Sequence, residues 1–174
     1  DNPPKVAAGR GIRELGSPEL AAILRELPKR PLLAGETGIR LSLAGAQDKL
    51  PLVFEQGRFA LPLGDTPSTH ILKPEPQRFP GLVTAEFFAM RLARQAGLNA
   101  ASVETLHVEE HTCLLVDRFD RGTDEQGTTI RLHQEDFCQA LGLPPARKYQ
   151  AEGGPTAADC FKLLREWTSV PVRE

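Results

Sequence analysis

Three stretches of the 174-residue sequence combine residue types that suit the handling of a phosphorylated ligand. The first is 42–49, SLAGAQDK. Ala44, Gly45 and Ala46 are small enough for backbone N–H groups to approach an anion closely, and Ser42 and Lys49 add a hydroxyl and a positive charge. The spacing is neither a Walker A loop nor G-x-G-x-x-G, and a tight turn ahead of a strand would use the same residues. The second is Lys73, which ends the apolar run Ile71-Leu72, with Glu86 following among Ala85, Phe87 and Phe88. A lysine at a strand end is ordinarily solvated, its stem lying along apolar surface. Paired with a carboxylate on a helix, it can instead neutralise nucleotide phosphates while the carboxylate holds it in place. The third is 116–121, VDRFDR. Asp117 there can accept a hydrogen bond from the exocyclic amine of adenine, and the Phe119 backbone can complete the pair. The alternative is a charged strand end with solvent-exposed Asp–Arg pairs, each worth roughly 0–1 kcal/mol.

Other chemistries find little support. His70, His107, His111 and His133 have no metal-like spacing, and no Ser–His–Asp arrangement emerges. Cys113, Cys138 and Cys160 are far apart, odd in number and without C-x-x-C spacing, which argues against zinc and a disulfide framework and fits a reducing cytoplasm. A net charge of −2 gives no basic footprint, so direct binding of nucleic acid by this chain is not expected. Arg91 and Arg94 read as a solvated helix face. No apolar run is long enough to span a bilayer and the N-terminus carries no signal-peptide pattern, so no membrane partner is expected. An apolar fraction of 40% is enough for a core.

The elements that must position these residues follow from periodicity and punctuation. Residues 1–38 read as an irregular lead-in with one short helix, capped by Ser17 with Pro18 at its first position and Glu19 next, and stopped at Pro28. Residues 51–55 and 58–61 flank Gln56-Gly57 as a β-hairpin, and 70–73 is a further strand closed by Pro74 and Pro76. Residues 83–95 have helical spacing, with Gly97 as a left-handed stop. Residues 101–108 and 112–119 form a second hairpin across Glu109-Glu110. Strands, helix, strands with short links predict an α+β arrangement, an antiparallel sheet with one packed helix, over 39–120. Residues 121–128 read as a hinge loop, and 134–141 and 156–168 as helices opening a helical part over 121–174.

Taken together, these segments resemble the HipA family of serine/threonine kinases, bacterial toxins. The matching stretches are 42–49 (SLAGAQDK), 66–73 (TPSTHILK), 116–121 (VDRFDR) and 131–142 (RLHQEDFCQALG), followed in order by Lys148-Tyr149 and Gly153-Gly154-Pro155. The resemblance covers about residues 40–165 and implies a kinase-like N-lobe that leads into the first helices of a helical C-lobe. It implies ATP and Mg2+ as cosubstrates. Lys73, with Glu86 as its partner, would contact the phosphates beside Ala44 and Gly45. Asp117 and Phe119 would meet the adenine, and Ser42 matches the serine that such kinases autophosphorylate. Family members phosphorylate translation-machinery proteins, notably an aminoacyl-tRNA synthetase, and are restrained by a DNA-binding HipB-type antitoxin.

Two departures stand out. The family's catalytic Asp–Asn loop and its metal-binding Asp are expected beyond Glu174, since no D-x-x-x-x-N loop occurs within the chain, and the family's small N-terminal subdomain is not expected among these residues. With Asp1 as first residue and Met90 as sole methionine, an excised fragment of a longer protein is the expectation. Phosphoryl transfer depends on a positioned base and metal, so the fragment alone is expected to be inactive. The competing expectation is a non-catalytic interaction module that binds an antitoxin or partner subunit.

Overall fold

The computed structural model describes residues 11–29 and 47–167. These fall into two units, one through Arg131 and one from Leu132 onward.

In the first unit, six antiparallel strands form one sheet in the order β1-β3-β2-β4-β6-β5. The strands are β1 (Gly11–Leu15), β2 (Leu50–Glu55), β3 (Arg58–Leu63), β4 (His70–Pro74), β5 (Val103–Val108) and β6 (His111–Asp117). The β2–β3 turn has the form its sequence predicts: Gln56 and Gly57 take φ of 51° and 77°, the left-handed pair that matches the twist of a two-residue hairpin. At the β5–β6 turn Glu109 is also left-handed, with φ 49°.

A helix packs on each face of the sheet. Helix α1 (Ser17–Glu26) seats Leu20, Leu24 and the following Leu27 on Leu50, Leu52, Leu61, Leu72, Cys113 and Leu115. Helix α2 (Leu82–Gln95) seats Val83, Phe87 and Met90 on Ile71, Leu114 and Val116. Residues two apart on a strand share a face, so Leu72 and Leu115 look toward α1 while Ile71 and Leu114 look toward α2. Gly97, at φ 85°, stops α2 as expected.

Three expectations of local structure in this unit need correction. Residues 11–15 are not irregular but form an edge strand along β3, from Gly11 opposite Leu63 to Leu15 opposite Phe59. Thr66 secures its start, with Oγ1 accepting from the Gly11 N–H and donating to the Gly11 carbonyl, both at 2.8 Å. The α1 cap is Gly16, not Ser17, which is already helical. The stretch expected to be a hinge loop folds into a small hairpin of β7 (Arg121–Thr123) and β8 (Thr129–Arg131). Its turn closes because the Asp124 carboxylate accepts from the Gln126 and Thr128 N–H groups at 3.0 and 2.8 Å, with Gly127 left-handed.

The second unit holds α3 (Phe137–Ala140), two 3-10 turns at Pro145–Arg147 and Gln150–Glu152, and α4 (Ala157–Trp167). Helix α3 is far shorter than the expected 134–141, because Asp136 caps it: its carboxylate accepts from the Gln139 N–H while the Gln139 side chain accepts from the Asp136 N–H. Helix α4 starts as read, with Thr156 and Asp159 bonding reciprocally. Gly154 precedes it where a β-carbon would overlap the backbone of Arg147 and Tyr149. Phe137, Ala140, Leu163, Leu164 and Trp167 line an open groove of about 580 Å³.

Candidate functional site

Lys73 and Glu86 form an ion pair, with side chains 19% and 25% exposed. Both ends follow from local packing. Lys73 lies opposite Leu114 in the β4–β6 ladder and so shares the sheet face that α2 covers. Glu86 lies one turn from Val83 and next to Phe87, and the seating of those two residues on the sheet brings its carboxylate over the end of β4. A second carboxylate fixes the start of the helix. Glu75, just past β4, accepts from the Gly81 N–H, from Leu82 at 3.1 Å and from Val83 at 2.8 Å. These are N–H groups that a helix leaves without intrahelical partners, at its positive end. Nothing local announces this contact: Glu75 precedes α2 by more than the three-residue spacing of a capping box.

At the end of β6 the sequence VDRFDR divides by burial. Asp117 is half exposed and Phe119 is 75% exposed, whereas the Arg118, Asp120 and Arg121 side chains are each at most 10% exposed. Arg118 binds Asp120 bidentately, Nε to Oδ1 at 2.9 Å and Nη2 to Oδ2 at 2.6 Å. Arg121 approaches the same carboxylate at 3.0 Å and donates to the Asp120 carbonyl at 2.7 Å and the Ser68 carbonyl at 2.5 Å. The buried Ser68 hydroxyl lies 3.4 Å from Arg118 Nη1 and 3.3 Å from Arg121 Nη2. The hydrogen bond from Arg118 holds the Asp120 carboxyl below the usual aspartate range, against the opposing effect of burial. Sequence reading offered these Asp–Arg pairs only as a solvated alternative, and a run of alternating charges gives no local sign that they fold inward.

The remaining site residues separate. Asp117 lies opposite His70 in the ladder, so its carboxylate is on the α1 face, away from Lys73. It stands 3.6 Å from His70 Nε2 beside a cavity of about 150 Å³ that Glu104 and Leu115 also line. Burial pushes the His70 pKa down, opposed by Asp117, Glu104 and Glu55. Ser42, Ala44 and Gly45 lie outside the described residues. Of the same motif Gln47 is described, and its Nε2 is buried without a hydrogen-bond partner among the described residues. A cation braced by a carboxylate and an exposed aromatic at a strand end are features that suit a nucleoside phosphate.

Residues 41–174 match the family model described as the HipA-like C-terminal domain. Over 155 residues the chain is 53% identical to a Sinorhizobium fredii protein named "Putative kinase Y4mE", covering 89% of this chain and 37% of that one. It is 36% identical over 159 residues to the serine/threonine-protein kinase toxin HipA of Shewanella oneidensis, covering 91% of this chain and 36% of that one. Among solved structures, the complex of Shewanella oneidensis HipA with HipB and operator DNA matches with a TM-score of 0.69 and 32% identity, over 94% of this chain and 40% of that one. The chain thus spans well under half the length of these relatives. Its sequence and its fold agree: the chain belongs to the HipA-like C-terminal domain family, and so to the HipA-like kinases.

Proposed function

We propose that this chain is the ATP-binding portion of a serine/threonine protein kinase of the toxin type, acting with Mg2+ in the cytoplasm on a translation-machinery protein such as an aminoacyl-tRNA synthetase. The observation that carries the reading is the Lys73–Glu86 pair, a largely buried cation held by a helix carboxylate. A lysine so held would meet phosphate oxygens, with the backbone N–H groups of Ala44 and Gly45 alongside. Phe119 and Asp117 would meet the adenine. Asp117 would do so through its main-chain carbonyl, because its carboxylate faces the other side of the sheet. Bound Mg2+ would offset phosphate charge. Its ligands and the catalytic base are assigned to sequence outside these 174 residues, which hold no D-x-x-x-x-N loop. The structural neighbour's presence in a complex with HipB and operator DNA supports a HipB-like antitoxin as partner.

The test follows labelled phosphate from ATP to a synthetase in the presence of Mg2+. The intact protein transfers label, its Lys73→Ala variant loses both transfer and ATP binding, and the 174-residue chain alone transfers none. Unchanged nucleotide affinity in Lys73→Ala removes the role given to Lys73. Robust transfer by the chain alone overturns its dependence on the absent residues. An intact protein that binds an antitoxin but neither ATP nor substrate would favour a non-catalytic interaction module.

A further inference from the structure

The end of β6 is built in an unusual way for a surface turn. Phe119, 75% exposed, stands between Arg118 and Asp120, whose side chains are each 8% exposed. The bidentate Arg118–Asp120 contact closes over the one residue between them, so the backbone of Phe119 is held from both sides. The same residues are tied to the segment that leads into β4. The Arg118 N–H donates to the Thr69 carbonyl at 3.0 Å, and both guanidinium groups converge on Ser68. Arg131, from β8, donates to the Asp65 and Thr66 carbonyls at 3.0 and 3.1 Å on the same connection. Three arginines therefore brace the β3–β4 connection, and two of them share one buried carboxylate.

Burying two guanidinium groups on one aspartate is a costly way to end a strand, because desolvation offsets much of the attraction. An apolar turn would serve stability at least as well. What the arrangement does provide is a fixed backbone shape at 117–119 with an aromatic ring held in solvent. We propose that Asp120, through Arg118 and Arg121, is the positioning residue that pre-shapes the 117–119 segment for the adenine base, so that this cluster governs affinity for the base and not for the phosphates. The inference rests on the nucleotide-binding reading above. A rigid segment presents its hydrogen-bonding groups without an ordering cost at the moment of binding, which is where pre-organised sites gain affinity. The division of labour is spatial as well: Lys73 and Glu86 hold the phosphate end from the sheet and α2, and the Arg118–Asp120–Arg121 cluster holds the base end from the connections.

The experiment uses the intact protein and two ligands, ATP and inorganic tripolyphosphate, each with Mg2+, with affinities measured by equilibrium titration. Arg118→Lys keeps the charge and removes the bidentate fork. It is expected to weaken ATP by about tenfold or more, as small misplacements of positioning groups do, and to leave tripolyphosphate affinity unchanged. Ser68→Ala keeps both charge pairs, removes only the shared hydroxyl, and is expected to show the same pattern to a smaller extent; it decides the matter if Arg118→Lys fails to fold. Equal losses for both ligands, or unchanged ATP affinity in the folded variants, overturn the positioning role. Lys73→Ala separates this failure from that of the nucleotide reading. If it weakens both ligands while the cluster variants leave ATP binding intact, only the inference falls. If the wild-type protein binds neither ligand, both fall.

Discussion

A double-mutant cycle on Lys73 and Glu86 tests whether their pair is a site feature or a surface contact. The perturbations are Lys73→Met, Glu86→Gln and their combination; each removes a charge while keeping most of the side-chain volume. At about 4 Å and an effective dielectric of about 20, two unit charges attract by about 4 kcal/mol. Most of that is offset by desolvating the two groups and ordering two long side chains. With exposures of 19% and 25%, the pair lies between the exposed class, worth roughly 0–1 kcal/mol, and the buried class, where removing one partner costs roughly 3–5 kcal/mol. A coupling of about 1–2 kcal/mol is therefore expected, read from urea denaturation of the four proteins. In the intact protein, Glu86→Gln should also weaken ATP binding, because an unbraced Lys73 must be ordered by the ligand itself. A coupling below about 0.3 kcal/mol, within ordinary non-additivity, would refute the reasoning, as would a Glu86→Gln variant with wild-type ATP affinity.

Three further outcomes follow from other parts of the molecule. Phosphorylating Ser42 should weaken ATP binding by the intact protein, since a phosphoserine adds about −1.5 to −2 charges beside the proposed phosphate loop; equal affinity before and after stoichiometric modification would sink that switch. Acidification should destabilise the first unit in two steps. Neutral His70 is favoured in the fold, so its contribution is complete above about pH 6.5 and is lost as pH falls through its lowered pKa; that of Asp120 is complete above about pH 4 and is lost below it. Denaturation midpoints followed from pH 8 to pH 3 should fall in both ranges, with the upper step absent in His70→Phe. The Cys113 thiol is buried and its pKa is pushed up to about 12 by desolvation, and Cys138 is buried, whereas Cys160 is partly exposed. A thiol reagent at neutral pH should therefore label Cys160 well before Cys113, and rapid loss of the Cys113 thiol from folded protein would contradict its place in the core.

What could be read from the sequence was whatever is encoded within a few residues. Gln56-Gly57 demands a left-handed turn and so sets the β2–β3 register; Gly97 stops α2 for the same reason. Residues 83–95 read as a helix from their spacing, and the structure seats Val83, Phe87 and Met90 of that helix on the sheet. The Lys73–Glu86 contact could then be anticipated because strand and helix were both legible and the helix had one sheet to pack on. Residues 11–15 offered no such signal. GIREL is short, begins with Gly and places charges at two of its positions, and it is a strand because β3 leaves an edge that it fills. The second packed helix followed from the same blind spot: α1 was recognised as a helix, but without β1 there was no reason to bring it onto the sheet.

The Arg118–Asp120–Arg121 cluster shows why a site is harder to read than a fold. Alternating charge at a strand end is usually solvated, and local sequence cannot report that Ser68, fifty residues earlier, supplies the carbonyl and hydroxyl that let two guanidinium groups fold inward. Burial there is a property of two connections meeting, not of either alone. The reverse holds for Phe119, an aromatic that hydrophobicity would place inside and that its anchored neighbours hold outside. Burial thus departs from what residue type suggests in both directions within three consecutive residues, a local conflict of the kind that functional sites tend to carry. The candidate site is thus legible around Lys73 and Glu86, where one helix and one strand decide the geometry, and opaque at residues 117–121, where the decisive contacts are long-range.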